Sequence, residues 1–506
     1  MILACIYFLL FAVLVWKLPF FKDGSLGRGF LFFVLGVKAL ACFAYYWFYF
    51  VHQSENGGGD SGDTLAGANI VYEAFGRDKT DFLKLLSGWH TDLVSDPLYK
   101  PYFSRIPDWG DSDSTSEFFL NDNRTSIRFH AFVRIFSGGA YAVHALFMLM
   151  ASFTGQFAFY KAFKAWFPGK EKLLALIIFL TPSILFWSSG ILKEPLALAL
   201  LGLLVYAFMQ LFVNKQRRMS SVIVLLLCIL FFMVLKPYIL ALLIFPLIIF
   251  ALAKHFHVRR VALFYGLSLL VIYGGSVLVL KYAFHKDVMN TIVVRQNDFI
   301  SLSKGGIFFV NNKNYLRLEY KDRDQYVMVD SSNLICRIRP QASLMYWDLD
   351  HIRDTVFVAN NRDTSLYKLL SVNKPAGSGM MTQRLEYSFS SFARLLPLSF
   401  FNVLFRPFFF DAPSAAELVA SMENLLFLLF FAGCFVLRGK EKTDLNLLCL
   451  CIAVVLLSYC LIGITTTVAG AVVRYKVPFI PFLLMIPLLY ADAGKLKKMP
   501  LLKHFL

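Results

Sequence analysis

The chain has 506 residues, 58% hydrophobic and only 16% charged, with a formal net charge of +17. Soluble domains carry about 25% charged residues, so the composition excludes an ordinary soluble protein and points to an integral membrane protein. Its lysines and arginines sit in short loops between apolar runs, where topology and anionic lipid account for them, so the positive charge does not imply a nucleic-acid partner.

A membrane span needs about 20 apolar residues to cross about 30 Å of hydrocarbon. Eleven are expected, at roughly 1–19, 30–51, 139–160, 173–188, 194–213, 221–235, 238–253, 261–282, 418–437, 446–465 and 475–491. The first lacks a basic n-region and a small-residue cleavage site, so it reads as a retained span, not a signal peptide. From Leu173 to Val213 the chain is apolar almost without a break, about 60 Å if helical throughout. It must turn in the middle, and only "FWSSGILKEP" offers a turn, with Gly190 to bend the chain and Pro195 for the first turn of the next helix.

Orientation follows from loop charge. With the N-terminus outside, six inner segments ("KLPFFKDGSLGR", "KAFKAWFPGKEK", "NKQRR", "KHFHVRR", "RGKEK" and "KLKKMPLLK") hold 20 Lys and Arg. The short outer turns hold four: Lys193, Lys236, Arg474 and Lys476. Cytoplasmic loops carry the Lys/Arg excess, so the C-terminus is placed in the cytoplasm and both long polar segments outside. The expected organisation is two spans (1–52), a first outer loop with interfacial helices (53–138) and spans three to eight (139–282). A β-rich outer subdomain (283–387), an interfacial helix (388–416) and spans nine to eleven with a basic tail (417–506) complete it.

In the first outer loop, "ANIVYEAF" and "DFLKLLS" suggest short helices lying on the membrane. "IRFHAFVRIFS" spaces Phe129, Phe132 and Phe136 opposite Arg128 and Arg134, the pattern of an interfacial amphipathic helix. In the second, "GGIFFV", "YLRLEY", "YVMVD", "LICRIRP" and "TVFVAN" are short, β-branched and aromatic, and predict about four or five strands. "FARLLPLSFFNVLFRPFFF" reads as a helix in the interface, closed by Pro407.

Asp60 and Asp63, in "GGGDSGDT", lie at a membrane exit. The glycines argue against regular helix before Thr64, so the pair is expected in a tight loop aiming both carboxylates at one point. Such a pair can deprotonate a hydroxyl or hold a divalent cation near a phosphate; the bland reading is a solvated linker. Asp111 and Asp113 lie far from any span and fit a solvated loop. Lys193 and Glu194 interrupt the longest apolar run; ionisable residues near the bilayer are functional candidates, although a snorkelling lysine and a helix-start carboxylate explain them too. Arg474 and Tyr475, with Lys476, and Arg406 in "LFRPFFF", offer donors for a phosphate, or else a membrane anchor. Lys236 could serve likewise but fits an anchor better, and Glu423 is an intramembrane acid needing a partner. His130 and His144 fit packing near the membrane surface better than metal binding. Seven of the eight cysteines sit in apolar runs, so Cys336 alone forms no disulfide framework in the polar segment. No phosphate-binding loop, zinc-protease, serine-hydrolase or dinucleotide motif is present. The inner loops are too small to hold a nucleotide, so a substrate must come from the membrane or from outside.

The outer "GDT", "PSILFWSSGILKE", "LFRPFFF" and "GAVVRYKVPFIPF" together resemble the polytopic bacterial glycosyltransferases of the GT-C type and the related polysaccharide polymerases. The resemblance implies an all-α polytopic membrane protein, GT-C-like, of about 11 spans, in the bacterial inner membrane, with the β-rich insertion on the extracytoplasmic side. It implies that Asp60 or Asp63 acts as base or positions the acceptor. Lys193 and Arg474, with Arg406, would hold the phosphate of a polyprenyl-phosphate-linked sugar, with Glu194 and Tyr475 beside them. No cofactor is certain; a divalent cation on Asp60 and Asp63 is the one that the carboxylate chemistry allows. Two departures stand: the Asp-bearing loop follows the second span, whereas the family carries it after the first, and the large C-terminal soluble domain of some members is missing. Four readings stay open: a glycosyltransferase; a polymerase of lipid-linked repeats, relying on the arginines; a transporter, which expects internal repeats and broken helices; and a non-catalytic envelope assembly factor. The transferase reading expects these acids and bases to gather at the level of the lipid phosphates.

Overall fold

The computed structural model describes residues 2–53, 58–88, 96–106, 122–216, 218–311, 314–339, 342–346, 356–358, 366–380, 383–412, 414–440 and 443–498. It divides into two compact units: residues 1–269, 427–455 and 477–506 form the first, and 270–426 and 456–476 the second. Eight of the described helices are long and apolar enough to cross a membrane: Arg28–His52, Tyr141–Trp166, Lys193–Val213, Pro237–His255, Val261–Ala283, Ala415–Val436, Leu445–Thr465 and Ala469–Tyr490. The chain is a largely helical membrane protein.

Within the first unit, α1 (Ile2–Lys17) is followed by α2 (Arg28–Tyr46), which runs on as a π-helix to His52. Next come α3 (Gly59–Arg77), α4 (Lys79–Ser87), α5 (Asp122–Ser137) and α6 (Tyr141–Phe163). The expected span at 173–188 is two pieces, α7 (Glu171–Leu180) and α8 (Pro182–Trp187). Pro182 lacks an N–H and drives the preceding residue out of the helical region, and Thr181 sits at φ −56°, ψ 124°. The apolar run then turns over Ser188–Leu192 and re-enters as α9 (Lys193–Phe208), with Pro195 in its first turn. α10 (Met219–Leu235) and α11 (Pro237–His255) follow, then α12 (Val261–Ala283), which crosses into the second unit. At 16 and 17 residues, α1 and α10 are apolar but shorter than these eight, so the eleven expected spans are not all matched by helices of spanning length among the described residues.

Among the described residues, the segment between α2 and α6 holds more helix than its weak periodicity predicts. α3, α4 and α5 enclose a core of their own from Ala68, Val71, Phe82, Leu85, Ile127 and Ala131. Arg105 ties the intervening loop to α3 by two bonds to Glu73, at 2.9 and 3.0 Å, and these bonds hold the Glu73 carboxyl below its ordinary value. Arg128 Nε donates to the Leu85 carbonyl at 3.0 Å. These helices pack on one another, while Phe132 and Phe136 stay exposed on α5.

Polar contacts sort the loops of this unit into two sets. Lys164 pairs with Asp23, Trp166 Nε1 donates to Asp444 at 2.9 Å, and Lys170 Nζ donates to the carbonyls of Leu488 and Ala491 at 2.8 and 2.9 Å. Those segments are the ones whose charge assigns them to the inner side. The other set is the turn Ser188–Leu192, the α10–α11 junction and the helices α3 and α5.

Among the described residues, the second unit holds α13 (Val288–Lys304) and seven strands: β1 (Gly306–Asn311), β2 (Asn314–Glu319), β3 (Tyr326–Asp330), β4 (Ile335–Ile338), β5 (Ser343–Tyr346), β6 (Val356–Val358) and β7 (Tyr367–Asn373). They form one antiparallel sheet in the order β3-β4-β7-β1-β2-β5-β6. The sequence reading placed five of these strands but missed β5, β7 and the helix. The inner strand β7 escapes it because "YKLLSVN" alternates poorly, and only pairing on both edges makes it a strand. Ile307, Phe309, Leu318, Cys336, Ile338 and Tyr367 fill the sheet core. α14 (Phe389–Phe405) ends where expected, before Pro407. α15 (Ala415–Val436) and α16 (Leu445–Thr465) are shared with the first unit. α17 (Ala469–Lys476) closes the second unit, and α18 (Ile480–Tyr490) and α19 (Ala493–Lys497) return to the first.

Candidate functional site

Asp60 and Asp63 are helical, not looped. α3 begins at Gly59 because Gly58 takes the left-handed conformation, φ 87°, where a Cβ would also strike the Phe50 ring at 2.5 Å. Asp60 in the first turn faces the positive end of the helix dipole, a favourable place for an acid. At i and i+3 the two carboxylates share a face, Asp60 exposed and Asp63 half-buried. Weak helix formers fold this way because Ser61 is fixed by tertiary contacts. Its hydroxyl donates to the Ile191 carbonyl at 2.9 Å and lies 3.0 Å from the Tyr45 hydroxyl. Gly190, one residue earlier, lets the same Tyr45 ring close on the turn; a Cβ there would meet it at 2.5 Å.

The start of α3 is thus seated on the turn leading into Lys193 and Glu194. Glu194, 1% exposed, accepts from Lys236 Nζ at 3.0 Å, and the lysine is 6% exposed. Lys236 is therefore half of a buried ion pair, a correction to its reading as an anchor. Thr125 of α5 donates to the Val234 carbonyl at 3.5 Å, beside that lysine. Asp60, Asp63, Lys193 and Glu194 all belong to this unit and to this end of it. Asp111 and Asp113 lie outside the described residues.

A second polar cluster of the first unit went unnoticed in the sequence. Lys38 of α2 is fully buried and donates to Gln156 Oε1 at 3.0 Å and Ser188 Oγ at 2.6 Å. Gln156 donates to the Ile178 carbonyl at 2.7 Å, and Ser152 to the Ser188 carbonyl at 3.0 Å. The amine thus anchors the first residue of the turn that carries the candidate site. Nearby, His130 and His144 do not merely pack: their Nδ1 atoms are 3.0 Å apart, and Ser137 Oγ lies 2.8 Å from His144 Nε2. Burial, then the neighbouring His144, holds His130 well below the ordinary histidine value.

Arg406, Arg474 and Tyr475 belong to the second unit, and all three are half-buried. Arg406 caps α14, with its N–H on the Asn402 carbonyl at 2.9 Å and its guanidinium 5.8 Å over Phe408. Arg474 and Tyr475 lie on α17, where the Tyr475 ring meets Phe299 edge-on at 6.1 Å. Lys476, next along, is buried and donates to Asn424 Oδ1 at 2.9 Å. Glu423, the intramembrane acid in need of a partner, is buried within electrostatic reach of Lys476 and Tyr459.

Among the described residues no three His, Cys, Asp or Glu side chains form a metal-holding group. Two carboxylates, Asp60 and Asp63, still match the habit of Mg²⁺, which takes one or two and keeps its waters. No family model, no curated protein and no solved structure matches this chain.

Proposed function

We propose that the chain is a membrane glycosyltransferase of the GT-C type, moving a sugar from a polyprenyl-phosphate-linked donor to an envelope glycan or lipid acceptor on the extracytoplasmic face. The observation that carries the reading is the bond from Ser61 to the Ile191 carbonyl, which seats the start of α3, the part that carries Asp60 and Asp63, on the turn leading to Lys193. The grouping of basic loops at one end of the first unit supports placing that turn, at the other end, outside.

In the proposed reaction the acceptor oxygen attacks the anomeric carbon as the bond to the carrier phosphate breaks, inverting that centre. Asp60 or Asp63 takes the acceptor proton. The polyprenyl phosphate departs with the bonding electron pair, and cationic donors neutralise the charge it gains. Within the first unit Lys193 is the candidate phosphate ligand; the second unit, taken by itself, offers Arg406 and Arg474, with Tyr475 as a hydroxyl donor. Glu194 serves as the counter-ion that holds Lys236 in place. A divalent cation, if bound by Asp60 and Asp63, would supply further charge neutralisation.

The test is Asp60→Asn and Asp63→Asn in cells, with envelope glycans and lipid-linked intermediates measured and membrane insertion checked. Loss of glycan with accumulation of the lipid-linked donor is expected. Full activity in the double variant refutes the base role. A second reading, a lipid or polysaccharide transporter, draws on the breaks at Thr181–Pro182 and at Val477–Phe479, since interrupted helices line transporter sites. Transport by the purified double Asn variant, with no sugar transfer by the parent, selects it.

A further inference from the structure

The segment carrying Arg406 has a donor problem. Phe405 ends α14, so its carbonyl is one of the four left without a helical partner, and the Pro407 carbonyl, beyond the helix end, needs a donor as well. One side chain answers both. Asn424 of α15, 4% exposed, donates through Nδ2 to the carbonyls of Phe405 at 3.1 Å and Pro407 at 3.3 Å, the residues on either side of Arg406. Its oxygen accepts from Lys476 Nζ at 2.9 Å. That lysine is 2% exposed and lies two residues beyond Arg474. With both N–H donors and the carbonyl engaged, the amide has one orientation.

We infer that Asn424, oriented by Lys476, is a positioning residue for Arg406: it clamps the peptide on both sides of the arginine and aims the guanidinium at a lipid-borne phosphate. The inference rests on the reading of Arg406 as a phosphate ligand. The clamp links the loop of Arg406 to the helix of Arg474, so two basic segments far apart in sequence are set by one buried amide. An aspartate at 424 keeps a partner for Lys476 but has no donor for either carbonyl, which separates the clamp from the lysine contact.

The full chain in phosphatidylcholine nanodiscs provides two readouts: hydrogen exchange of the Arg406–Phe410 backbone, and binding of a polyprenyl monophosphate probe. Asn424→Asp is expected to speed exchange in that segment and to weaken binding about tenfold, the scale of two lost hydrogen bonds. Asn424→Gln, which retains the donors, should recover part of both. If the Asp variant fails to fold, Lys476→Met, which frees the amide to rotate, must show the same two changes in smaller measure. Unchanged exchange in both variants overturns the clamp. Further weakening by Asn424→Asp in an Arg406→Ala background overturns action through Arg406. Parental affinity in Arg406→Ala alone instead overturns the phosphate reading of that arginine, and the exchange result then stands as a structural clamp only.

Discussion

The buried pair Glu194–Lys236 gives the most exacting test of how the first unit holds its candidate site. Both side chains are nearly inaccessible and lie 3.0 Å apart. Taking two charges out of water is costly, and their attraction offsets that cost only while both are present. Lys236→Met should therefore destabilise by about 3–5 kcal/mol, because it leaves a carboxylate buried without its ammonium. Glu194→Gln should do similar damage from the other side. The double variant should recover most of the loss, since a well-packed neutral pair is often as stable as the ion pair it replaces. The coupling energy is the difference between the double variant and the sum of the singles. It can be read from denaturant or thermal unfolding of the detergent-solubilised protein, with the membrane fraction as a check on insertion. Additive single effects, or a double variant worse than either single, would show that the two charges do not stabilise each other.

Three further outcomes follow from the geometry. Gly202 and Gly155 mark the closest approach of α9 and α6, where a Cβ on Gly202 would fall 1.8 Å from the Gly155 carbonyl oxygen. Gly202→Ala should cost about 1–3 kcal/mol or more. Gly266→Ala in α12, with nothing within 4 Å, should be neutral or slightly stabilising; equal melting shifts for the two would contradict the packing. His130 is buried neutral with its proton affinity depressed, so the unfolded chain binds the extra proton as pH falls past about 6.5. Stability should hold above that pH and decline below it, and His130→Asn should flatten the decline; an acid limb of unchanged steepness removes this histidine from the account. Lys38→Met removes the donor that Gln156 Oε1 and Ser188 Oγ accept from, and should lower stability by about 1–3 kcal/mol. A melting temperature at or above that of the parent would refute an anchoring role for the amine.

Much of the architecture was legible in the sequence because the bilayer imposes a one-dimensional rule. An apolar run of sufficient length, bounded by lysines and arginines, declares a helix without knowledge of its neighbours. The turn at Ser188–Leu192, the end of α14 before Pro407 and five of the seven strands rest on such local signals. Where partners are distant, the sequence was silent. Nothing in the sequence around Lys38 announces its partners, because Gln156 and Ser188 lie 118 and 150 residues away. Glu194 and Lys236 are 42 apart and Asn424 and Lys476 52 apart, with nothing in either neighbourhood to announce a bond. Asp60 and Asp63 show the same limit from the other side. Their glycine-rich context favours a loop, yet Ser61 finds a carbonyl 130 residues on and α3 starts early. Hydrophobic thickness and loop charge act on each segment alone, so composition determined that this chain inserts in a membrane and which loops share a charge. Hydrogen bonds between buried polar groups form only when separate helices meet, so the tertiary structure alone decided which acids and bases have partners.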